Sequence, residues 1–365
     1  MAVIDKFPRD YSQARDRFIC AAQALRADTR VNLDSIAHPL EAPNGEALST
    51  DVAVIGDPNA KRALVLISGT HGTEGSCGSG CQAAWLRSDR PKSLHETVKV
   101  VLIHAINPHG FAHVRRVTED NVDLNRNFVD HGAPYPENAA YASLHDLLLP
   151  EFWTPQARAI ADQGLETYAA EHGQFALQAA ISRGQFSHPD GLFFGGHAPT
   201  WSNRTLRALL KEHAGSASNV GLIDYHTGLG PYGSADLISD TLPGSDTYRR
   251  LERWYRNGLS SPSAGTSTSA PLAGTMQVGV REALPNAQLT LIAAEFGTYP
   301  VRRVFNALRG DHWLHARGTQ DEALREVIKA EVSKALYPDE DDWKEMVALR
   351  SRQLVDRALD GLARG

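Results

Sequence analysis

The 365-residue chain is 42% hydrophobic and 22% charged, with a formal net charge of −6. That length can bury a sizeable core, and the composition is ordinary for a soluble globular protein. The negative balance excludes general affinity for nucleic acid or anionic membrane surfaces. Cys20, Cys77 and Cys81 are too few for a disulfide framework, no apolar run reaches 18 residues, and residues 1–10 lack the apolar core of a secretory leader. A cytoplasmic protein with no membrane partner is expected.

Residues 11–26 carry Phe18, Ile19, Ala22 and Leu25 at helical spacing, which predicts an amphipathic helix. Residues 50–55 and 62–67 read as successive strands divided by the turn Gly56-Asp57-Pro58-Asn59. The second strand runs into Ser68-Gly69-Thr70-His71-Gly72-Thr73-Glu74. A helical pattern follows over 78–86, in which Cys77 and Cys81 read as small buried residues. Residues 98–104, Val-Lys-Val-Val-Leu-Ile-His, are nearly all apolar, as expected of a strand covered on both faces.

Residues 130–200 are rich in helix formers, with helices predicted at 139–149 and 165–181, a Gly/Pro/aromatic loop at 191–201, and a helix at 202–213. Residues 220–225 form a strand with His226 at its tip, 261–274 a Ser/Gly/Thr/Pro-rich loop, and 288–294 a strand ending at Glu295. Helical patterns, including 322–336 and 341–358, occupy nearly everything from Val301 onward. This alternation predicts an α/β fold with a mixed, largely parallel central sheet between helical layers. With no internal repeat and no linker, the expected organisation is a single domain over 1–365. It has a core of residues 50–320, a helical insertion at 130–200 and a helical C-terminal extension at 320–365.

Imidazole nitrogen and carboxylate oxygen are good zinc donors, and the spacing of His71 and Glu74 on a tight turn can aim both at one point. So short a pattern also arises by chance as a polar loop facing water. His71, Asn107, His226 and Glu295 each fall at or just beyond the carboxyl end of a predicted strand, the edge where open α/β sheets bind ligands. His226 would then be a third ligand, giving a His₂Glu site with an open position; alone, it reads equally as a histidine capping a strand. Residues 115–128 include Asp123-Leu124-Asn125-Arg126-Asn127-Phe128, in which Arg and Asn offer a fork for a carboxylate, although such a stretch can also be a solvated mixed-charge loop.

His71-x-x-Glu74, then Asn107-Pro108-x-Gly110-Phe111, then Arg116 seven residues before Asp123, then His226 and Glu295, together resemble the zinc carboxypeptidase superfamily. The likeness is closest to a bacterial branch known mainly as a domain of unknown function, and spans roughly residues 50–300. The stretches Gly191-Leu192-Phe193-Phe194-Gly195-Gly196 and Asp224-Tyr225-His226-Thr227-Gly228-Leu229-Gly230-Pro231-Tyr232-Gly233 are similar to that branch's patterns. The resemblance implies the fold predicted above and one Zn²⁺ per chain held by His71, Glu74 and His226. It implies Arg116 at the scissile carbonyl and its oxyanion, Asn125 and Arg126 on a substrate carboxylate, and Glu295 as catalytic glutamate. His109 stands where an aspartate is usual. The family's capping tyrosine has no clear counterpart among Tyr232, Tyr248 and Tyr255, of which Tyr232, six residues from His226, is preferred.

The residue types then predict hydrolysis of an amide bond beside a free carboxylate, with Glu295 as general base and then general acid. The expected partner is a small peptide, as for a carboxypeptidase, or an N-acyl amino acid, as for the succinylglutamate desuccinylase and aspartoacylase group. A non-catalytic binding protein on the same scaffold is the remaining class, and the sequence leaves a homo-oligomer open. Asp224 and Asp123 are the expected carboxylate partners of the zinc histidines, although Asp224 reads equally as a structural residue.

Overall fold

The computed structural model describes residues 4–256 and 258–364, so residues 1–3 of the polar N-terminal stretch lie outside it. Its strands are β1 (Val31–Glu41), β2 (Ala47–Ile55), β3 (Arg62–Ile67), β4 (Val98–His104), β5 (Asn219–Tyr232), β6 (Ala235–Ile238), β7 (Leu259–Ser260) and β8 (Gln288–Gly297). They form one mixed sheet in the order β1-β2-β4-β3-β5-β8-β6-β7. The centre, β4-β3-β5-β8, is parallel throughout. Antiparallel pairings join β1 to β2, β2 to β4 and β6 to β8. The expected α/β architecture is therefore present.

Strand alternation sorts the core into two layers. Leu64 and Leu66 of β3 and Val100 and Leu102 of β4 face one cluster, while Val65, Ile67, Val101 and Ile103 face another. The first cluster is closed by α1 (Tyr11–Leu25), α2 (Gly75–Leu86) and, after the intervening helices, α12 (Asp341–Arg364). Cys77 and Cys81 lie in it, as expected, and burial pushes the Cys77 thiol well up. The second is covered by α7 (Trp201–Ala214) and α9 (Met276–Ala283).

A helical block adds a third packing unit beside the sheet core. The short α3 (Pro108–Ala112) precedes α4 (Ala139–Leu148), α5 (Pro155–His172) and α6 (Gln174–Ser182), and α8 (Asp246–Tyr255) precedes α10 (Val301–Arg317) and α11 (Glu322–Leu336). Leu144 of α4, Leu165 of α5 and Ile181 of α6 share a third core with Val304, Leu308 and Leu336. The C-terminal helices are thus structural layers of the molecule. In α12, Trp343 is fully buried and its Nε1 donates to Gly297 O at 2.9 Å.

Two expectations are corrected, and β1 is a strand for which there was no sequence expectation. The helix predicted at 165–181 is two helices, α5 and α6, broken at Gly173, whose φ of 93° suits glycine. β1 went unpredicted because its burial alternates poorly and Pro39 interrupts it; its tolerance of Pro39 reflects its place at the sheet edge. His226 is not at a strand tip, because β5 continues to Tyr232 and pairs His226 with Glu295 of β8 in register.

Candidate active site

The parallel centre brings the carboxyl ends of β3, β5 and β8 to one edge. Beyond β3 the chain turns through Gly69, with φ of 70°, to His71, which starts a 3₁₀ turn Gly72–Glu74. That turn lies against α3 so closely that a Cβ on Gly72 would sit 2.0 Å from Gly110 C, so glycine is required. Backbone bonds from Gly72 N to Arg116 O and Thr73 N to Arg115 O, both 3.1 Å, tie the turn to the arginine segment. Asn107, buried, caps α3 by accepting from Gly110 N at 2.9 Å; it supports the turn and is not itself a donor of the cluster.

His71, Glu74 and His226 are buried, and one donor atom of each lies within 4.8 Å of the others. The Nδ1 atoms of the two histidines stand 3.2 Å apart, with His71 Nδ1 2.9 Å from Glu74 Oε1 and His226 Nδ1 3.3 Å from Glu74 Oε2. A tetrahedral zinc with bonds of about 2.0–2.1 Å would hold its ligand atoms about 3.3 Å apart, close to these separations. The far ring nitrogens are taken: His71 Nε2 lies 3.2 Å from Asp123 Oδ1, and His226 Nε2 lies 2.5 Å from Asp224 Oδ2. Carboxylates there accept N–H from Nε2, so each ring presents Nδ1 inward beside Glu74, where a cation that displaces the Nδ1 proton would meet a lone pair. Two imidazole lone pairs and a carboxylate converging out of water suit a cation, and the donor set fits a metal ion.

Each carboxylate is itself held. Asp224 Oδ1 accepts from Thr70 Oγ1 at 2.7 Å. Asp123 accepts from Asn125 N at 2.9 Å and from Arg116 Nε at 3.1 Å, while Arg116 Nη1 donates to Glu74 Oε1 at 2.8 Å. Thr227 N donates to Glu74 Oε2 at 3.0 Å, and Thr227 Oγ1 donates to Leu336 O at the end of α11. Burial alone would raise the Asp123 and Glu74 carboxyls. The Arg116 and Arg126 charges hold Asp123 well below the usual carboxylate range, and His71, His226 and Arg116 hold Glu74 low. Burial would lower the His226 imidazole, but Asp224 and Glu74 hold it well above its ordinary value, so the cluster draws positive charge.

Glu295 faces the same cavity from β8. Its Oε1 accepts from Leu229 N at 2.9 Å, and burial, reinforced by the Glu74 charge, pushes its carboxyl up to about 7. A carboxyl at that value can take and release a proton near neutral pH.

The cavity measures about 880 Å³, and His71, His226, Glu295, Arg116, Asn125 and Arg126 all line it. Arg126 is buried, with Nε and Nη2 donating to Ser182 O at 3.0 and 2.6 Å and Nη1 to Asn125 O at 2.9 Å. Burial pushes its guanidinium down to about 10. Asn125 Oδ1 accepts from Met276 N at 2.7 Å, which fixes the amide at the start of α9. Tyr232 is not brought to this site: it is outside the cavity lining, and its hydroxyl donates to Asp342 at 3.0 Å. Tyr248 and Tyr255 lie outside the lining as well, both carried by α8.

Sequence reading passed over four contributors. Thr70 and Thr227 sit beside the expected ligands and lock carboxylates, and Leu229 supplies only its backbone N–H. Phe193, at φ of 55°, lies under both arginines, with the guanidinium carbons of Arg116 and Arg126 at 5.6 and 5.3 Å from its ring centroid. Its signal was an aromatic pair inside a glycine-rich loop.

The model of a family described as proteins of unknown function, DUF2817, matches residues 7–350. No curated protein matches the chain. Among solved structures it is similar to carboxypeptidase A from Helicoverpa armigera, with 13% identity over 89% of this chain and 73% of that one, at a TM-score of 0.44. It is similar to an aspartoacylase family protein from Mesorhizobium loti, at 15% identity, coverage of 80% and 68%, and a TM-score of 0.39. Murein-tripeptide amidase from Escherichia coli O157 is similar at 15% identity, coverage of 82% and 97%, and a TM-score of 0.37. The chain belongs to the DUF2817 family.

Proposed function

We propose that this chain is a zinc-dependent metallohydrolase of the carboxypeptidase type, with one zinc per chain, cleaving an amide bond beside a free carboxylate. The observation that carries the reading is the convergence of His71 Nδ1, Glu74 and His226 Nδ1 in a buried cluster that shares one cavity with Glu295. Zinc held by those three residues supplies Lewis acidity toward the substrate carbonyl and makes water nucleophilic at neutral pH. Sites with three nitrogen and oxygen ligands also accept cobalt and manganese.

The rest of the work falls to the protein. Asp123 and Asp224 hold the two imidazole rings so that each presents Nδ1. With Oε1 fixed by the Leu229 amide, Glu295 takes a proton from the attacking water and returns it to the departing nitrogen. Arg116, already facing the cavity, places positive charge where the tetrahedral oxyanion develops. Asn125 and Arg126 orient the free carboxylate through donors that their backbone partners leave over.

A second reading, a deacylase of N-acyl amino acids, is favoured by the walls of the cavity, which are mainly helical side chains with few open polar groups. Both readings are tested together by metal analysis of the purified protein and by assay of N-blocked dipeptides and N-acyl amino acids with and without chelator. Stoichiometric metal with chelator-sensitive turnover is expected. A protein that takes up no divalent metal, or whose turnover ignores its removal, would end the proposal.

A further inference from the structure

The catalytic groups occupy only the floor of the cavity. Its walls are built by the two halves of the helical block and by the loop that contributes Pro262, Ala270, Pro271 and Leu272. Leu165 of α5 with Phe175 and Ile181 of α6 stand on one side, and Val304, Phe305 and Leu308 of α10 on the other. The volume, about 880 Å³, lies in the upper part of the range of about 300–1,000 Å³ usual for small-molecule sites. It far exceeds what the carboxylate-bearing end of a substrate needs at the arginines.

Several polar groups on these walls are already engaged. Gln178 Nε2 donates to Thr268 O at 3.0 Å, Ser182 Oγ to Gln178 O at 2.8 Å, and Asn306 Oδ1 accepts from Arg309 Nη1 at 3.1 Å. The backbone donors and acceptors of helices are internally paired, so the α5, α6 and α10 walls present no strand edge to a guest, and the loop that completes the lining contributes Ala270, Pro271 and Leu272. A peptide entering between them would bury an N–H and a C=O per residue without partners, at a cost of about 1–3 kcal/mol for each group. An aliphatic chain has no such groups, and each methylene buried there is favourable.

The mouth agrees with this. Phe175 is 64% exposed and Val301 62% exposed, and both line the opening. Large apolar side chains held in water at the entrance to an apolar cavity are an entry surface for apolar matter. Beside them Arg302 of α10 pairs with Asp162 and Glu166 of α5 at 3.7 and 3.9 Å, bridging the two walls at the rim.

We infer that the apolar walls of the cavity receive the long aliphatic acyl chain of an N-acyl amino acid, whose carboxylate faces Asn125 and Arg126. The inference rests on the amide hydrolysis proposed above and names the substrate class of that site. The reaction is R–CO–NH–CHR′–COO⁻ plus water giving R–COO⁻ and ⁺H₃N–CHR′–COO⁻. One C–N bond breaks and one C–O bond forms. Water's oxygen ends in the carboxylate and both its hydrogens on the amine, with no change of oxidation state.

The experiment has two arms. The holoenzyme is assayed on N-acyl-alanines with acetyl, hexanoyl and dodecanoyl groups and on N-acetyl dipeptides ending in alanine. Dodecanoate binding to chelator-treated protein is measured by calorimetry, with acetate as control. In the expected result kcat/KM climbs with chain length by about fourfold per methylene until the cavity is full. Dodecanoate binds without metal, and acetate does not. Phe175→Glu and Phe305→Glu lower dodecanoyl turnover by about tenfold or more while N-acetyl-alanine turnover stays unchanged. A flat chain-length profile, dipeptides preferred to dodecanoyl-alanine, or wall variants that affect all substrates alike would overturn the inference and leave the hydrolase reading standing. Absence of hydrolysis of every substrate, with dodecanoate still bound, would defeat the hydrolase reading and retain the acyl-chain site. Absence of both would end both.

Discussion

The floor of the cavity and its walls solve opposite problems. On the floor, four carboxylates, two histidines and two arginines are packed out of water, and each is held by a neighbour. Asp224 lies between Thr70 and His226, Asp123 between His71 and Arg116, and Glu74 among His71, Arg116 and Thr227 N. Buried charge is tolerable only when paired in this way, and the pairing also fixes where each ring nitrogen points. The walls carry mainly apolar side chains around an open volume, with few charged groups among them. The floor is rigid because every group has a partner; the walls are permissive because they ask only for apolar surface. In the proposed function, chemistry and substrate choice therefore sit on different elements, the carboxyl halves of the strands for the first and mainly helices for the second.

The sharpest way to break this division is Glu295→Gln. The amide cannot accept a proton, so hydrolysis is expected to fall by about 10²–10⁴ while metal content and thermal stability are unchanged. Turnover retained by that variant would remove Glu295 from the chemistry. Arg116→Ala should cost about 10²–10³ in kcat. If the loss appeared only as reduced metal content, Arg116 would be a support for Glu74 and Asp123 alone.

Asp224→Asn should weaken metal binding by about 10–100-fold, measured by competition with a chelator, because the His226 ring loses the carboxylate that sets its tautomer. An unchanged affinity would make Asp224 structural only. On the wall, Leu308→Ala should cost about 2 kcal/mol in chemical denaturation. That is the low end for a buried leucine, since the side chain already borders open space. Metal affinity should not move.

The smallest effect contrasts two histidines. Burial, helped by the Arg115 charge, pushes the His312 imidazole of α10 down to about 3, whereas Asp224 and Glu74 hold His226 of the floor well above its ordinary value. An unfolded imidazole titrates near about 6.5. Between that value and about 3 the unfolded chain binds a proton at position 312 that the folded chain refuses. The His312 contribution is therefore fully present above pH 6.5 and is lost as pH falls through that window. His312→Asn should flatten the acid limb of stability measured by denaturant titration; an unchanged limb would show that other groups dominate it.

How much of this was legible beforehand depends on the range of the interaction. Strands β3 and β4 were read to the residue, because continuous apolar runs closed by glycine or polar turns mark strands buried on both faces. The ligand turn, His226, Glu295 and the Asp123–Phe128 cluster were each visible as residue types that chemistry uses, placed after strands. Their convergence followed from expecting parallel strands, since side chains beyond the carboxyl ends of such strands share one edge. The family could be reached from that ensemble as well.

Other features have no local signature. The extension of β5 through His226 and the clasp of Thr227 by the end of α11 arise from contacts between segments far apart in the chain. Tyr232 shows the same limit: its distance in sequence from His226 suggested a role, but β5 carries it out to Asp342. The residues to which the proposed chemistry falls are set by local composition and by their place toward the carboxyl ends of neighbouring parallel strands. The cavity's size and its apolar walls are set by how the 139–182 helices pack against α10, which no local pattern encodes.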